Sequence, residues 1–540
     1  MRIGCLFIAL ACCSPSPQKQ LAPVQPKTAE MERVFTPDAA NVMAAPRGAR
    51  CSAAPCAEGL ACAPLPGGYC ASACGVTGAA CDGACVETGS LGEVCAKRCR
   101  RDDECRVDEG YVCDRATQAC LVPNVAAVVP ATCPANGPAR DAAFGDSSPW
   151  STAASPGVYQ IDPSAIVADD GGVVATYSAR GAIGAPGAVG LSRVDGTGQR
   201  TTDLPVAREQ TGDDAPSLAR DRKGTLYATW LRGDSVVLAT SADHGATWST
   251  PATVHEPGDC REGDRDCFDR PLVAVGLDAR TKRETVFVLY ASAIGGLRVR
   301  ASTDGGATFG PAVSALAGGH GSAVASSDGR LHAVAIDGGP LGGYGSAHQK
   351  IDYAVSNDGG ARFGTPVTVS GPDEILPFYF GKPALAVDVR RRLIYVAYVR
   401  GGRDARWELV LAVSKDGGAS WKRTRMPGAD CAIHMVPALA VDPTTGTLHV
   451  AYYDNAGGGR FARASCGAGV TKCKLHGAVS GAPFATLSTV RHSSKWIGER
   501  AALLVDDKRR ILHALWAQPV DESGKPVARI FHAAAKLPKR

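Results

Sequence analysis

The chain has 540 residues, which leaves room for more than one domain and for a sizeable hydrophobic core. It carries 58 basic and 53 acidic residues, a formal net charge of +5, so charge gives no reason to propose nucleic acid as a partner. Its 63 glycines and 35 prolines, together with the scarcity of helix-period apolar patterns, indicate a turn-rich all-β protein.

The N-terminus has the features of an export signal. Arg2 precedes a nine-residue apolar run that ends at Ala11, a small residue directly before Cys12. This pattern resembles a bacterial lipoprotein signal over residues 1–12. The resemblance implies a lipid anchor on Cys12 that holds the protein to a membrane, and an outer-membrane, periplasmic or extracellular location. The alternatives are an ordinary secretory signal or an anchor that is left uncleaved.

Residues 13–50 and 51–121 differ in composition. The first segment contains six prolines and few aromatics, which predicts a tether. The second holds 12 of the chain's 21 cysteines and few large apolar residues, which predicts a module closed by six disulfides whose connectivity stays open. The run from Cys99 to Cys120 resembles small EGF-like or dickkopf-like cysteine modules. Such a module either binds a partner or acts as a spacer.

Residues 122–148 form a second Pro- and Ala-rich linker, and residues 149–540 contain an eight-residue pattern four times. The pattern is Ser-x-Asp-x-Gly-Ala-x-aromatic, and its aspartates are Asp243, Asp304, Asp358 and Asp416. Each copy predicts a hairpin turn in which the Asp and Ser side chains bond the backbone and Gly takes the left-handed conformation. The pattern resembles the Asp-box, or BNR repeat, of sialidase-like β-propellers, where it is structural and lies away from the ligand face.

A second repeat gives the number of blades. It consists of an apolar strand, a short polar turn and another apolar strand, and it occurs seven times, as in 163–177 and 383–398. The last unit ends at 529–535, a third strand with no fourth strand after it. The stretch that begins at Trp150 parallels the one at Trp248 and supplies the missing strand, which would close the ring. We predict a seven-bladed propeller, with the six blades of the enzymatic sialidases as the alternative.

One face of such a ring is the candidate site. In a propeller, the loops before the first strands and after the second strands gather on one face around the central channel. Here these loops carry arginines and carboxylates, a mixture that suits a polar or anionic ligand because guanidinium groups clamp carboxylates. The predicted ligand-binding residues are Arg270, Arg400, Arg500 and Trp496. The alternative is that these charges pair only with one another and with water.

The sequence favours binding of a glycan or a surface protein at this arginine- and carboxylate-lined mouth. The alternative is an exo-glycosidase, since the resemblance to sialidases implies an arginine triad, an acid/base aspartate and a tyrosine nucleophile activated by glutamate. The catalytic residues would then be Asp214 or Asp269 as the acid/base, and Glu499 with Tyr379 as the nucleophile pair. The Arg-Ile-Pro motif of that enzyme class is missing from the sequence, which favours binding.

Six cysteines lie outside the signal and the cysteine-rich module. The predicted pairs are Cys260–Cys267 and Cys466–Cys473, and whether the remaining Cys133 and Cys431 bridge each other stays open. Carboxylates are dense in the first of these loops and would suit Ca²⁺, but alternating arginines neutralise them. We therefore expect no metal and no other cofactor.

Overall fold

The described part of the chain is built from antiparallel β-strands. The computed structural model describes residues 44–51, 55–63, 69–74, 81–88, 92–107, 111–114, 118–121, 138–150, 159–180, 187–195, 204–205, 213–260, 267–278, 281–292, 296–325, 328–337, 350–372, 374, 376, 382–401, 407–428, 432, 434–484, 497–523 and 525–538. Helical structure in these residues is limited to short 3₁₀ turns at Asp102–Glu104, Pro257–Asp259 and Ala456–Gly458. None of these turns is long or apolar enough to cross a membrane.

The cysteine-rich module consists of short hairpins joined by disulfides. Its strands are β1 (Ala61–Ala63), β2 (Tyr69–Ala73), β3 (Ala84–Thr88), β4 (Gly92–Ala96), β5 (Val112–Asp114) and β6 (Ala119–Leu121). Strands β1–β4 form one sheet in the order β1-β2-β4-β3, and β5 pairs with β6. The six disulfides are Cys51–Cys62, Cys56–Cys70, Cys74–Cys85, Cys81–Cys95, Cys99–Cys113 and Cys105–Cys120.

This connectivity, which the sequence left open, has an internal repeat. Taken in chain order, the 12 cysteines form three groups of four, and in each group the first pairs with the third and the second with the fourth. The third and fourth cysteines of each group also face each other across a hairpin, as Cys62 faces Cys70 and Cys113 faces Cys120. The module is therefore a tandem array of three similar units.

Two further disulfides, Cys260–Cys267 and Cys466–Cys473, lie in the second part of the chain. Together the eight bridges indicate an oxidising compartment outside the cytosol, because such bonds do not persist in reducing surroundings. Cys12, Cys133 and Cys431 lie outside the described residues.

Seven four-stranded antiparallel units form the rest of the fold. Blade 1 is β8 (Tyr159–Val167), β9 (Val173–Arg180), β10 (Gly187–Val194) and β11 (Leu204–Pro205); blade 2 is β12 (Asp213–Arg220), β13 (Leu226–Arg232), β14 (Ser235–Ser241) and β15 (Ala252–Thr253). Blade 3 is β16 (Phe268–Leu277), β17 (Glu284–Ser292), β18 (Gly296–Ser302) and β19 (Val313–Leu316); blade 4 is β20 (His320–Ala325), β21 (Leu331–Asp337), β22 (Lys350–Ser356) and β23 (Val367–Thr368). Blade 5 is β24 (Ala384–Asp388), β25 (Leu393–Gly401), β26 (Trp407–Ser414) and β27 (Lys422–Arg425); blade 6 is β28 (His434–Val441), β29 (Leu448–Asp454), β30 (Arg460–Gly467) and β31 (Thr471–Ala478). Blade 7 is β32 (Ala502–Asp506), β33 (Ile511–Glu522), β34 (Lys525–Lys536) and β7 (Ser148–Pro149).

The core lies between the blades. The second strand of each blade is apolar on both faces because each face packs against a neighbouring blade, which explains its nearly continuous hydrophobic sequence. Large aromatic side chains on these strands are fully buried, among them Trp230, Tyr290, Tyr398, Tyr453 and Trp516. Burying each of these side chains stabilises the fold by about 2–3 kcal/mol from the area removed from water.

The ring closes through the N-terminal strand β7. In β7, Ser148 lies opposite His532 and Pro149 opposite Phe531 of β34, so a strand from the start of the fold completes the last blade. The amide of Trp150 extends this pairing by donating to the carbonyl of Ile530 at 2.6 Å. The sequence prediction of an all-β propeller preceded by a disulfide-rich module is confirmed, and closure by this strand gives seven blades rather than six.

Residues 138–150, which we call the closing segment, also contact blade 6. The backbone of Arg140 bridges to Ala478 in the outer strand of that blade. The carboxylate of Asp141 then accepts a hydrogen bond from the guanidinium of Arg463 at 2.5 Å, and both side chains are buried. Farther along, the Gly145 amide donates to the Ala534 carbonyl in blade 7 at 3.2 Å. The closing segment thus spans the outer edges of two blades.

The four copies of the eight-residue pattern adopt one turn geometry. In the first copy, Ser241 donates to Asp243 at 2.7 Å, the Gly245 amide donates to the Ser241 hydroxyl at 2.8 Å, and the Thr247 amide donates to Asp243 at 2.8 Å. The same three bonds recur around Asp304, Asp358 and Asp416. Hydrogen bonds from Thr247 and Ser241 lower the pKa of Asp243 to about 2. The pattern therefore encodes a turn closed by its own side chains.

Candidate functional site

An unusual backbone conformation recurs where the first strands begin. Asp162, Ala215, Arg270 and Val436 have positive φ angles of 57°, 51°, 48° and 50°, and each directly precedes a proline. In each case the pairing of the first strand with the second shifts register at this residue, as in a β-bulge. Such a conformation costs about 1–3 kcal/mol for a non-glycine residue, so its repetition at one position points to a functional constraint.

Charged side chains from the loops that lead into the first strands meet across the channel axis. Glu499, three residues before β32 of blade 7, forms ion pairs with Arg270 of blade 3 and with Lys382, which precedes β24 of blade 5. Blades 3, 5 and 7 are not neighbours in the ring, so contacts among them must cross the central channel. We call the group Asp162, Arg270, Lys382, Glu499 and Arg500 the axial cluster.

Asp162 and Arg500 complete the axial cluster through backbone contacts. Asp162 of blade 1 accepts a hydrogen bond from the Glu499 amide at 2.6 Å. The preceding Gly498 has a φ of 75°, and a Cβ there would lie 2.8 Å from an Asp162 oxygen, so only glycine fits. The Arg500 guanidinium donates to the carbonyls of Pro216 at 2.9 Å and Pro271 at 3.3 Å, which ties blade 7 to blades 2 and 3.

Burial perturbs the pKa values in the axial cluster, and neighbouring charges decide the direction. The pKa of Asp162 is raised because the carboxyl is buried and faces the charge of Glu499. Burial also tends to raise the pKa of Glu499, but the positive charges of Arg270 and Lys382 have the larger effect, and the pKa of Glu499 is lowered. The pKa of Lys382 falls to about 8, because burial and Arg270 disfavour its charge more than Glu499 favours it. The axial cluster thus holds one carboxyl that favours its proton and one that favours ionisation.

The two predicted acid/base aspartates lie beside the axial cluster, each in an ion pair. Asp269 contacts Arg270 at 3.1 Å, and Asp214 contacts Arg180 at the end of β9. The neighbouring Asp213 is fully buried and is paired with Arg232 at 3.2 Å. These three carboxylates are therefore balanced by guanidinium groups. This agrees with the alternative drawn from the sequence, in which the charges at the mouth pair with one another.

Other predicted site residues lie elsewhere or outside the described residues. Arg400, near the end of β25, forms ion pairs with Glu408 of the same blade at 2.7 Å and with Glu374, in the connection between blades 4 and 5, at 3.1 Å. Tyr379 and Trp496 lie outside the described residues, as do residues 261–266 of the acidic loop. Sequence reasoning recognised Asp162 and Lys382 as loop residues but did not select them. Their position directly before a proline at the start of a first strand, shared with Arg270, was the signal that could have found them.

The described residues offer few groups for a metal. The close sets of three or more potential ligands in this part of the chain are Cys51, Cys56 and Cys70, and Cys99, Cys105 and Cys120. All six sulfurs are used in disulfides, so they present no thiolate for coordination.

Comparisons with known proteins give similarities of fold. No family model matches the sequence, and no curated protein matches it. A protein of unknown function from Dyadobacter fermentans DSM 18053 has 12% identity and a TM-score of 0.45, over 73% of this chain and 99% of that one. The Penicillium chrysogenum alpha-L-arabinanase complexed with arabinobiose has 15% identity and a TM-score of 0.42, over 73% and 98%. A Hadza microbial sialidase has 15% identity and a TM-score of 0.36, over 55% and 63%. Similarity at this level describes the fold alone.

Proposed function

We propose that this protein is a binding protein whose ligand, a glycan or a protein, docks over the axial cluster through an anionic or strongly polar group. The observation that carries the proposal is the convergence of charged side chains from blades 1, 3, 5 and 7 on the channel axis. Packing of the blades against one another does not require charged side chains on the axis. The protein nevertheless keeps them there, with a strained backbone at Asp162 and Arg270.

Charge favours an anionic ligand. The mouth presents the cations Arg270, Lys382 and Arg500 against the ionised carboxylates of Glu499 and Asp269. Burial and the charge of Glu499 raise the pKa of Asp162, which disfavours its negative charge and so favours the positive charge of the three cations at the mouth. Low solvent exposure strengthens the attraction of that charge for a carboxylate, sulfate or phosphate placed above it.

An exo-glycosidase is the second candidate, and one observation favours it. Asp162 and Glu499 are neighbouring carboxyl groups with pKa values shifted in opposite directions, an arrangement that divides acid and base roles. Binding is better supported, because the Glu499 carboxylate is occupied by Arg270 and Lys382. A catalytic carboxylate must reach its substrate.

We also propose the placement of the protein. The lipoprotein-like signal supports attachment through a lipid on Cys12, with residues 13–50 as the tether. The three-unit cysteine module then joins the tether to the propeller, and the four Ser-x-Asp turns serve as Asp-boxes that close the blades. In this arrangement, the tether and the module leave the mouth free to meet its ligand.

The test combines binding with hydrolysis. The full chain would be applied to an array of acidic and neutral glycans, and incubated with a fluorogenic sialoside and a panel of aryl glycosides. We expect binding to acidic glycans without turnover, weakened at least tenfold by Lys382→Met and unchanged by Arg400→Gln, whose guanidinium is already paired with Glu374 and Glu408. Circular dichroism would verify that both variants are folded.

The outcomes separate the two candidates. Turnover by the wild type that is lost in Glu499→Gln would replace the binding function with the glycosidase. Failure of the folded wild type to bind any acidic glycan, or equal binding by Lys382→Met, would remove the axial cluster as a glycan site. Capture of a surface protein that Lys382→Met fails to capture would keep the site and change the ligand class.

A further inference from the structure

The face opposite the axial cluster carries a second charged surface. Each first strand starts near the axial cluster and ends in a hairpin turn that leads into the second strand, so these seven turns lie at the far end of the channel. The turns of blades 5, 6, 7, 1, 2 and 3 contact one another in that order. The contacts are Arg391 to the Thr444 carbonyl, Thr444 to Asp507, Arg509 to the Asp170 carbonyl, Asp169 beside Gly224, and the Arg222 amide to Glu284.

Buried aspartates begin most of these turns. In five blades the turn begins with a buried aspartate that accepts backbone or side-chain hydrogen bonds of its own turn: Asp221, Asp278, Asp388, Asp442 and Asp506. Asp221, for example, accepts the amides of Lys223 and Thr225 at 2.9 and 2.8 Å. These carboxylates are used in closing the turns. Asp388 and Asp506 also pair with Arg391 at 3.0 Å and with Arg509 at 3.3 Å, so two of the arginines in these turns are partly neutralised.

The basic residues of the same turns point outward. Nine of them are exposed, and we call them the cationic rim: Arg222, Lys223, Lys282, Arg283, Arg390, Arg391, Arg392, Lys508 and Arg509. They come from four blades, 2, 3, 5 and 7. The exposed acids of the neighbouring blade 1 turn, Asp169 and Asp170, are paired with Arg220 and Arg193. The rim therefore presents more positive than negative charge to solvent, although the whole chain has a net charge of only +5.

We propose that the cationic rim docks on an anionic lipid bilayer. The rim follows one end of the ring, so its cations lie around a broad face and suit an extended anionic surface better than a groove-bound polymer. Each Lys or Arg near an anionic bilayer contributes about 1 kcal/mol of attraction, which corresponds to about a 5-fold gain in partitioning. A lipid on Cys12 would add a second attachment, and stable membrane association generally requires two.

Docking would also set the orientation. With the rim on the bilayer, the axial cluster at the opposite end of the channel faces away from the membrane. The inference deepens the proposed function, because it rests on the export and membrane attachment proposed above and explains how the mouth would be presented to ligands.

Vesicle flotation tests the rim without the lipid anchor. The full chain carrying Cys12→Ser, which has no acylation site, is mixed with phosphatidylcholine vesicles, with and without 30% phosphatidylglycerol. We expect binding to the anionic vesicles only, and weaker binding in high salt because the attraction is screened. The rim variant Lys223→Gln/Arg392→Gln/Lys508→Gln should bind about 100-fold more weakly, at about 5-fold per cation.

A matched variant controls for net charge. Lys350→Gln/Arg425→Gln/Lys474→Gln removes three exposed cations that lie outside the first hairpin turns, and it should bind as the parent does. Equal loss in both variants, or binding to neutral vesicles, would overturn the proposal. Binding to a soluble sulfated polysaccharide but not to vesicles would replace the bilayer with that polymer. The flotation assay uses neither the mouth nor the lipid, so its failure is distinguishable from failure of the proposed function. The lipid attachment proposed at Cys12 is tested separately, by mass spectrometry of the acylated cysteine.

Discussion

The ion pair between Asp141 and Arg463 holds the closing segment to blade 6, and its removal gives the sharpest test of the fold. Both side chains are about 95% or more buried, and Arg463 also lies over the Phe144 ring at 5.5 Å. Asp141→Asn keeps the acceptor for the Ala143 amide, which bonds the Asp141 side chain at 3.1 Å. The substitution therefore removes the negative charge with little change of shape.

The expected effect follows from the charge that remains. Asp141→Asn leaves the Arg463 guanidinium buried without its counter-charge, and breaking a buried pair in this way costs about 3–5 kcal/mol. At 3 kcal/mol, opening of the closing segment becomes about 150-fold more frequent, since each 1.36 kcal/mol is a factor of about ten. The double variant Asp141→Asn/Arg463→Met removes both charges and should recover most of this loss.

Hydrogen exchange measures the opening directly. The reporters are the amides of Gly145 and Trp150, which donate to blade 7 carbonyls in the closed ring. We expect both to exchange about 150-fold faster in Asp141→Asn, while the Val254 amide of blade 2, bonded to the Val236 carbonyl, serves as the internal control. Exchange at Gly145 and Trp150 within threefold of the wild type would show that the ion pair does not hold the segment.

Three further predictions concern pH and the turns. Burial lowers the pKa of His449 to about 4, so between pH 6.5 and 4 this histidine takes up a proton only in the unfolded state. The contribution of His449 to the free energy of unfolding is therefore full above pH 6.5 and falls by about 3 kcal/mol towards pH 4. Urea unfolding of the wild type and of His449→Gln over this pH range should show the difference. Asp243→Ala deletes the acceptor of the first Ser-x-Asp turn and should lower the unfolding free energy by about 1 kcal/mol, with a smaller effect refuting its role. Because the pKa of Lys382 is about 8, affinity for an anionic ligand should decline from pH 7 to 9, and Lys382→Arg, which keeps its charge, should abolish that decline in titration calorimetry.

The fold was predictable because its determinants are local. Each Ser-x-Asp turn closes within eight residues, and each strand pair is joined by a short hairpin, so both repeat visibly in the sequence. The closing strand was located only approximately, because the prediction placed it from Trp150 onwards, whereas β7 (Ser148–Pro149) lies directly before Trp150. The disulfide connectivity of the cysteine module was not predictable, because 12 closely spaced cysteines allow many pairings.

The site was predictable only where chain topology fixes position. Loops that lead into first strands must converge on the axis, and Glu499, Arg270 and Arg500 do meet there. Arg400 lies near the end of the second strand β25 and pairs instead with Glu408 of its own blade and with Glu374 in the preceding connection. Lys382 directly precedes a proline, as Arg270 does, but its ion pair with Glu499, 117 residues away, could not be read from the sequence.

The axial cluster has a consequence for how the ring comes apart. A chain of repeats whose members touch only adjacent members can lose them one at a time from an end. Here Glu499 binds Arg270 and Lys382 from blades on the other side of the ring, and Arg500 reaches the carbonyls of Pro216 and Pro271. Contacts from several blades thus converge on Glu499 and Arg500, so displacing blade 7 breaks contacts with blades 2, 3 and 5 together. We therefore expect the propeller to unfold as a single cooperative unit.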